Sequence, residues 1–154
     1  MFRQHAIALL MILIALPAAA QNLIDASDET RLAQFLQDQG FRAKLEVLDD
    51  GDPVIRSNSS GTNFSIYFYN CERGTNCRSI QFFVAYDLEK GTSLERINQI
   101  NTRNRFTKIY LDDENDPYME LDVNLAFGVT HENLADTLEW WLLSMGELER
   151  ELDW

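Results

Sequence analysis

Histidine is scarce in this chain: His5 and His131 are the only two among 154 residues, which removes most acid–base chemistry at neutral pH. A serine or cysteine nucleophile needs a base beside it, and His131 sits one place past Thr130, where a solvent-facing or local structural role suffices. Zinc wants four ligands, and Cys71, Cys77 and His131 fall short of that set. There is no glycine-rich phosphate loop, no G-x-G-x-x-G and no G-x-S-x-G elbow, so no cofactor is called for. Basic residues are few, 13 against 25 acidic ones, and the net charge is −12. Nucleic acid and anionic membrane surfaces are thereby excluded as partners, because both are bound through clustered lysine and arginine. A cationic partner is permitted.

What the chain does have begins at Met1. Arg3 and His5 precede an apolar run from Ala6 to Leu16, then Pro17 and Ala18-Ala19-Ala20. These are the three parts of a secretory signal peptide over residues 1–20, cut after Ala20, leaving one domain over residues 21–154 in the periplasm or outside the cell. The rival reading, a retained anchor, wants about 20 apolar residues, and polar Gln21 and Asn22 come too soon for it. In an oxidising compartment the pair Cys71 and Cys77 is expected to form a disulfide; five residues intervene, so it is no C-x-x-C redox motif.

Periodicity divides the rest. Ser27 caps a short amphipathic helix with Leu32, Phe35 and Leu36 on its stripe, stopped by Gly40. Strands follow at Ala43 to Leu48 and Val54 to Ser57, separated by Asp49-Asp50-Gly51-Asp52. From Thr62 to Cys71 and from Cys77 to Tyr86 the alternation is sharp: Phe64, Ile66 and Phe68 face one way in the first strand, as do Ile80, Phe82 and Val84 in the second. A hairpin with Cys71 opposite Cys77 sets Tyr69 against Ser79 and Tyr67 against Gln81, with both cysteines on the more polar face. Thr92 and Glu95 read as a capping box opening a helix with Leu94, Ile97 and Ile100, running to about Asn104. Phe106 to Leu111 and Pro117 to Phe127 are strands around the turn Asp112 to Asp116, with Met119, Leu121, Val123, Leu125 and Phe127 on the core face. A last helix, capped by Thr130, carries Leu134, Leu138, Trp141, Met145, Leu148 and Leu152, widened by Trp140 and Leu143. The order helix, four strands, helix, two strands, helix argues for an α+β fold: an antiparallel sheet, a β-meander plus a later hairpin, covered on one face by three helices.

Three features carry functional readings. The acidic turn Asp112 to Asp116 invites calcium, but counted from Asp112 the sixth and twelfth places of an EF-hand loop hold Pro117 and Val123 instead of Gly and an acid. Tyr67, Tyr69, Gln81 and Phe83, with Tyr118, Glu120 and Asp122, would form a mixed aromatic and polar patch if both sets lie on the uncovered sheet face, suited to recognition of a protein or peptide or simply to cross-strand pairing. Glu120 and Asp122 also leave open a carboxylate-dependent hydrolase or a metal- or small-ligand-binding protein. Finally, the stripe continues to the chain end, so Leu148, Leu152 and Trp154 are expected to outrun the sheet and stand exposed as an interface for a second copy or a partner.

The segment CERGTNCRSIQ from Cys71 to Gln81, Ile97-Asn98 with Asn101-Thr102-Arg103-Asn104-Arg105-Phe106, the turn DDENDPYMELD from Asp112 to Asp122, and Gly128-Val129-Thr130 with Glu132-Asn133-Leu134 together resemble the YbjN domain family, described as bacterial sensory transduction regulators. The resemblance spans nearly all of residues 21–154. It implies a fold like that of type III secretion chaperones, small acidic α+β proteins, commonly dimers, that bind segments of other proteins. It implies no catalytic residue, and a chaperone's cytoplasmic task would not suit a chain with a signal peptide.

Overall fold

The computed structural model describes residues 23–154, so the segment read as a signal peptide lies outside the described residues. Among the described residues no helix is long and apolar enough to cross a membrane. The elements run α1 (Glu29–Asp38), β1 (Lys44–Val47), β2 (Pro53–Ser59), β3 (Thr62–Tyr69), β4 (Ser79–Ala85), α2 (Leu94–Asn101), β5 (Lys108–Leu111), β6 (Pro117–Asn124) and α3 (His131–Leu152). All strand pairs are antiparallel, in the order β1-β2-β3-β4-β6-β5, which is the α+β architecture the alternation implied.

One sheet face is the core. Ile55, Ile66, Phe82 and Leu121 lie opposite one another across β2, β3, β4 and β6, and all are buried. α3 lies on this face through Leu134, Leu138, Trp141, Met145 and Leu148, and the Trp141 indole stacks on Phe82 at 5.5 Å and meets Phe64 at 6.0 Å. α1 adds Leu32, Phe35 and Leu36, and α2 adds Ile97 and Ile100. Before α1 the chain is fastened to the segment leading into α3: Ile24 and Val129 exchange both backbone hydrogen bonds at 2.8 Å. Gly128 permits this approach, since at φ 79° it adopts a left-handed conformation and a Cβ there would stand 2.7 Å from the Leu23 Cβ.

Several boundaries differ from the sequence reading. Asp28, one residue past Ser27, caps α1 by accepting from the Arg31 N–H, while the Ser27 hydroxyl is spent on Asp25. Ser93 caps α2 by accepting from the Arg96 N–H, which displaces the Thr92–Glu95 box by one residue and leaves Leu94 on the outside, 73% exposed. α2 ends at Asn101, short of Asn104. β6 ends at Asn124, so Phe127 never reaches the core face: it has φ 72° and is 90% exposed. Phe106 precedes β5 and leans on Trp140 at 5.1 Å, so Trp140 and Leu143 belong to the solvent side of α3 and do not widen its buried stripe. The largest correction concerns the chain end. Leu148 and Leu152 are buried, and the tail is tied to three elements: Glu149 accepts from the Thr62 hydroxyl at 2.6 Å, Arg103 pairs with Glu151 at 2.9 Å, and Trp154 meets Tyr86 edge-on at 5.1 Å. The tail therefore lies over the segments after β4 and α2 and closes the core, and of the three candidate interface residues only Trp154 is exposed.

Candidate functional site

The hairpin register is the expected one, Tyr69 opposite Ser79 and Tyr67 opposite Gln81. β4 pairs with β6 on its other side, setting Gln81 against Asp122, Phe83 against Glu120 and Ala85 against Tyr118. Tyr67, Tyr69, Gln81, Phe83, Tyr118, Glu120 and Asp122 thus share the face turned away from the helices. The structure adds residues that sequence reading missed: Arg56 opposite Ser65, Lys108 opposite Glu120, and Tyr110 opposite Tyr118. β5 is a four-residue edge strand, K-I-Y-L, too short for its alternation to show which side faces out.

Rings run in sequence across this face. Tyr67 meets Phe83 edge-on at 5.6 Å, Phe83 meets Tyr118 at 5.5 Å, and Tyr118 meets Tyr110 at 5.5 Å. A cation stands over each end, Arg56 above Tyr67 at 5.5 Å and Lys108 above Tyr110 at 5.2 Å. Such perpendicular pairs match the positive edge of one ring to the negative face of the next and hold the row rigid. Alongside runs a polar network. The Glu120 carboxylate accepts from the Tyr110 hydroxyl on one oxygen; on the other it accepts from the Gln81 amide at 3.2 Å and pairs with the Lys108 ammonium. Gln81 also donates to Asp122 at 2.9 Å and accepts from the Tyr69 hydroxyl. Glu120 is buried despite its charge, and three donors from two strands, Gln81 of β4 and Lys108 and Tyr110 of β5, satisfy it. Burial, then the Glu120 carboxylate, pushes the Tyr110 phenol well above its ordinary value; burial, Glu120 and Asp122 push Tyr69 up. The hydrogen bond to Glu120 holds the Lys108 ammonium above its usual range.

Both Glu120 oxygens are committed, and His131 packs edge-on against Phe35 of α1 at 5.0 Å. The acidic turn is likewise spent on its own backbone: Asp112 accepts from the Glu114 and Asp116 N–H groups, and Asp116 from that of Leu88, each at 2.9 Å. Among the described residues no group of three or more His, Cys, Asp or Glu is disposed to hold a metal ion.

Cys71 and Cys77 lie beyond the ends of β3 and β4 with their sulfurs within bonding distance. Asn70 and Asn76, at φ 57° and 50°, turn the chain out of strand geometry just before each cysteine. Face alternation therefore stops short of the pair, and Cys77 joins the buried core, contrary to the polar-face reading.

A sheet with one face covered by helices and the other presenting aromatic rings between charged groups defines a small α+β domain. Comparison with known proteins places it further: the family model YbjN, "Putative bacterial sensory transduction regulator", matches residues 28–154. The chain belongs to the YbjN family. It is similar in fold to a solved structure, "Crystal structure of YbjN, a putative transcription regulator from E. coli", with a TM-score of 0.58 and 17% identity over 85% of this chain and 92% of that one. No curated protein matches the sequence.

Proposed function

We propose that this chain is an exported, non-enzymatic binding module of the cell envelope, with a Cys71–Cys77 disulfide, that recognises a protein or peptide segment on its open sheet face and serves a regulatory role. The observation that carries the reading is the row Tyr67, Phe83, Tyr118 and Tyr110, flanked by Arg56 and Lys108 and left uncovered by any helix. Rings already locked by their neighbours lose little freedom on binding, so contact with them is favourable at low entropic cost. The family's description as a sensory transduction regulator agrees with such a role. The carboxylate hydrolase alternative has less support, because Glu120 and Asp122 are tied to Gln81, Tyr110 and Lys108.

The test is site-specific photo-crosslinking in the exported protein, with the reactive group at Tyr69 on the sheet face or at Leu143 on the solvent side of α3. A discrete adduct from Tyr69, absent from Leu143 and lost when Tyr67 and Phe83 are both changed to alanine, is the expected outcome. Equal adducts from both positions, or none from the sheet face, would overturn the reading.

A further inference from the structure

On the opposite side of the molecule, where α2 and α3 lie over the core, a cleft of about 490 Å3 opens between Arg96 and Arg103 on one wall and Glu147, Arg150 and Glu151 on the other. Ile100, which is buried, and Asn104 complete its lining. The lining combines three arginines with two glutamates, a net positive charge on a protein whose overall charge is −12. Arg103 is already paired with Glu151 at 2.9 Å, whereas Arg96 and Arg150 have no acidic partner among the described residues.

A second observation points the same way. The Asn104 Nδ2 is buried and has no hydrogen-bond acceptor among the described residues, although the Asn104 backbone N–H is anchored on the Ile100 carbonyl at 3.2 Å. A buried amide donor without an acceptor is unfavourable, and native structures rarely leave one so. Guanidinium and amide nitrogens only donate, so the group that satisfies Arg96, Arg150 and Asn104 together must bring acceptor oxygens. Two unpaired guanidiniums and one amide suit an oxyanion, which arginine holds by paired, charge-assisted bonds.

Arginines near helix C-termini can also serve only to offset the partial negative charge of the last carbonyls, and Arg103 and Arg150 lie near such ends, whereas Arg96 lies in the first turn of α2. That effect amounts to about half a charge per helix and asks nothing of Asn104. It accounts for Arg103 and Arg150 but not for Arg96 or the orphaned amide.

From this convergence we infer that the α2–α3 cleft is a binding site for a small oxyanion, a phosphate or carboxylate, held by Arg96, Arg150 and Asn104. The inference is independent of the sheet-face reading, since the two surfaces lie on opposite sides of the fold.

The experiment titrates the intact exported protein, labelled with 15N, with inorganic phosphate in one arm and acetate in the other, each against sodium chloride at matched ionic strength. Amide resonances of residues 96–104 and 147–151 should shift saturably with at least one of the two. R96Q with R150Q, both at exposed positions, should weaken that binding about tenfold or more, and N104D should weaken it comparably by placing a carboxylate among the ligands. R42Q, distant from the cleft, should bind as the parent does. The inference fails if neither anion moves these resonances beyond the chloride control, or if the shifts persist unchanged in the R96Q/R150Q protein, which chemical-shift dispersion will show to be folded.

Discussion

Leu148 separates two accounts of the chain end, and substituting it decides between them. Its side chain is fully buried, one turn before the Leu152 that closes the core, whereas Leu143, five residues earlier on the same helix, is 52% exposed. Leu148→Ala removes buried methyl groups and leaves a cavity that α3 cannot easily close, because its tail is held by Thr62, Arg103 and Tyr86. Core substitutions of this kind cost about 2.7–5 kcal/mol, and the restrained tail argues for the middle of that range or above. With a urea slope of about 2 kcal/mol/M, the midpoint should fall by roughly 2–2.5 M. Leu143→Ala should move it by no more than about a quarter of a molar, as surface changes usually stay within about 0.5 kcal/mol. The assay is equilibrium urea unfolding followed by tryptophan fluorescence, since Trp141 in the core reports the transition. If Leu148→Ala left the midpoint within about 0.3 M of the parent but abolished a dimer in sizing experiments, the tail would be an interface after all and the burial argument would be refuted.

Other expectations follow from the same structure. Reducing the Cys71–Cys77 bridge, or changing both residues to serine, should cost roughly 2 to 2.5 kcal/mol, because so short a loop constrains the unfolded chain only modestly; a urea midpoint unaffected by reductant would contradict this. Asn101→Ala should cost about 1–2 kcal/mol, since that side chain both donates to and accepts from the Ile109 backbone at the open edge of β5. The same variant should associate at high concentration, seen by light scattering, because an uncovered edge invites strand pairing. Alkaline titration followed at the phenolate band should show Tyr69, Tyr86, Tyr110 and Tyr118 ionising above their ordinary value of 10 in the folded protein. The folded state then holds these protons more tightly than the unfolded one, so the stability they lend is complete below about pH 10 and is lost as pH rises further. Ordinary ionisation of every phenol while the protein stays folded would refute the network.

The strands were legible wherever both faces had something to say. β3, β4 and β6 alternate large apolar with polar residues over seven or eight positions, enough to place every member of the Tyr67-to-Asp122 patch on the correct side. Their register could be read from the cysteines because a bridge across a short hairpin permits few alignments. Strand order was not legible. Nothing local to β4 says that β6, arriving some thirty residues later, will pair along its free edge. The contributions of Lys108 and Tyr110 depend on that order, so they stayed hidden although each residue was in plain view. The chain end failed for a related reason. A helix of 22 residues is about 33 Å long, and five strand spacings give only about 24 Å, so sequence arithmetic left the last turn without a floor. The floor is supplied by Tyr86 after β4 and by the approach to β5 after α2, irregular segments whose position no periodicity reports.

Hydrogen bonds between α2 and β5 connect the two proposed surfaces. β5 carries Lys108 and Tyr110 on the open face, and its backbone at Ile109 is clasped by Asn101, the last residue of α2. α2 and the turn after it carry Arg96, Arg103 and Asn104 toward the cleft. An oxyanion drawn between Arg96 on α2 and Arg150 on α3 would therefore act on a helix whose end is hydrogen-bonded to the strand that presents one end of the ring row. If cleft occupancy moves α2, the first groups to feel it on the far face are Lys108, Tyr110 and, through them, the buried Glu120 carboxylate. Thermodynamic reciprocity then makes the coupling measurable from either side. With phosphate or acetate bound, the amide and phenol signals of Tyr110 should shift in the parent, and cutting the clasp with Asn101→Ala should remove that response while leaving binding to Arg96 and Arg150 intact. A Tyr110 response that survives loss of the Asn101 clasp would show that the two faces communicate by another route, and no response at all in the saturated parent would show that they are energetically independent.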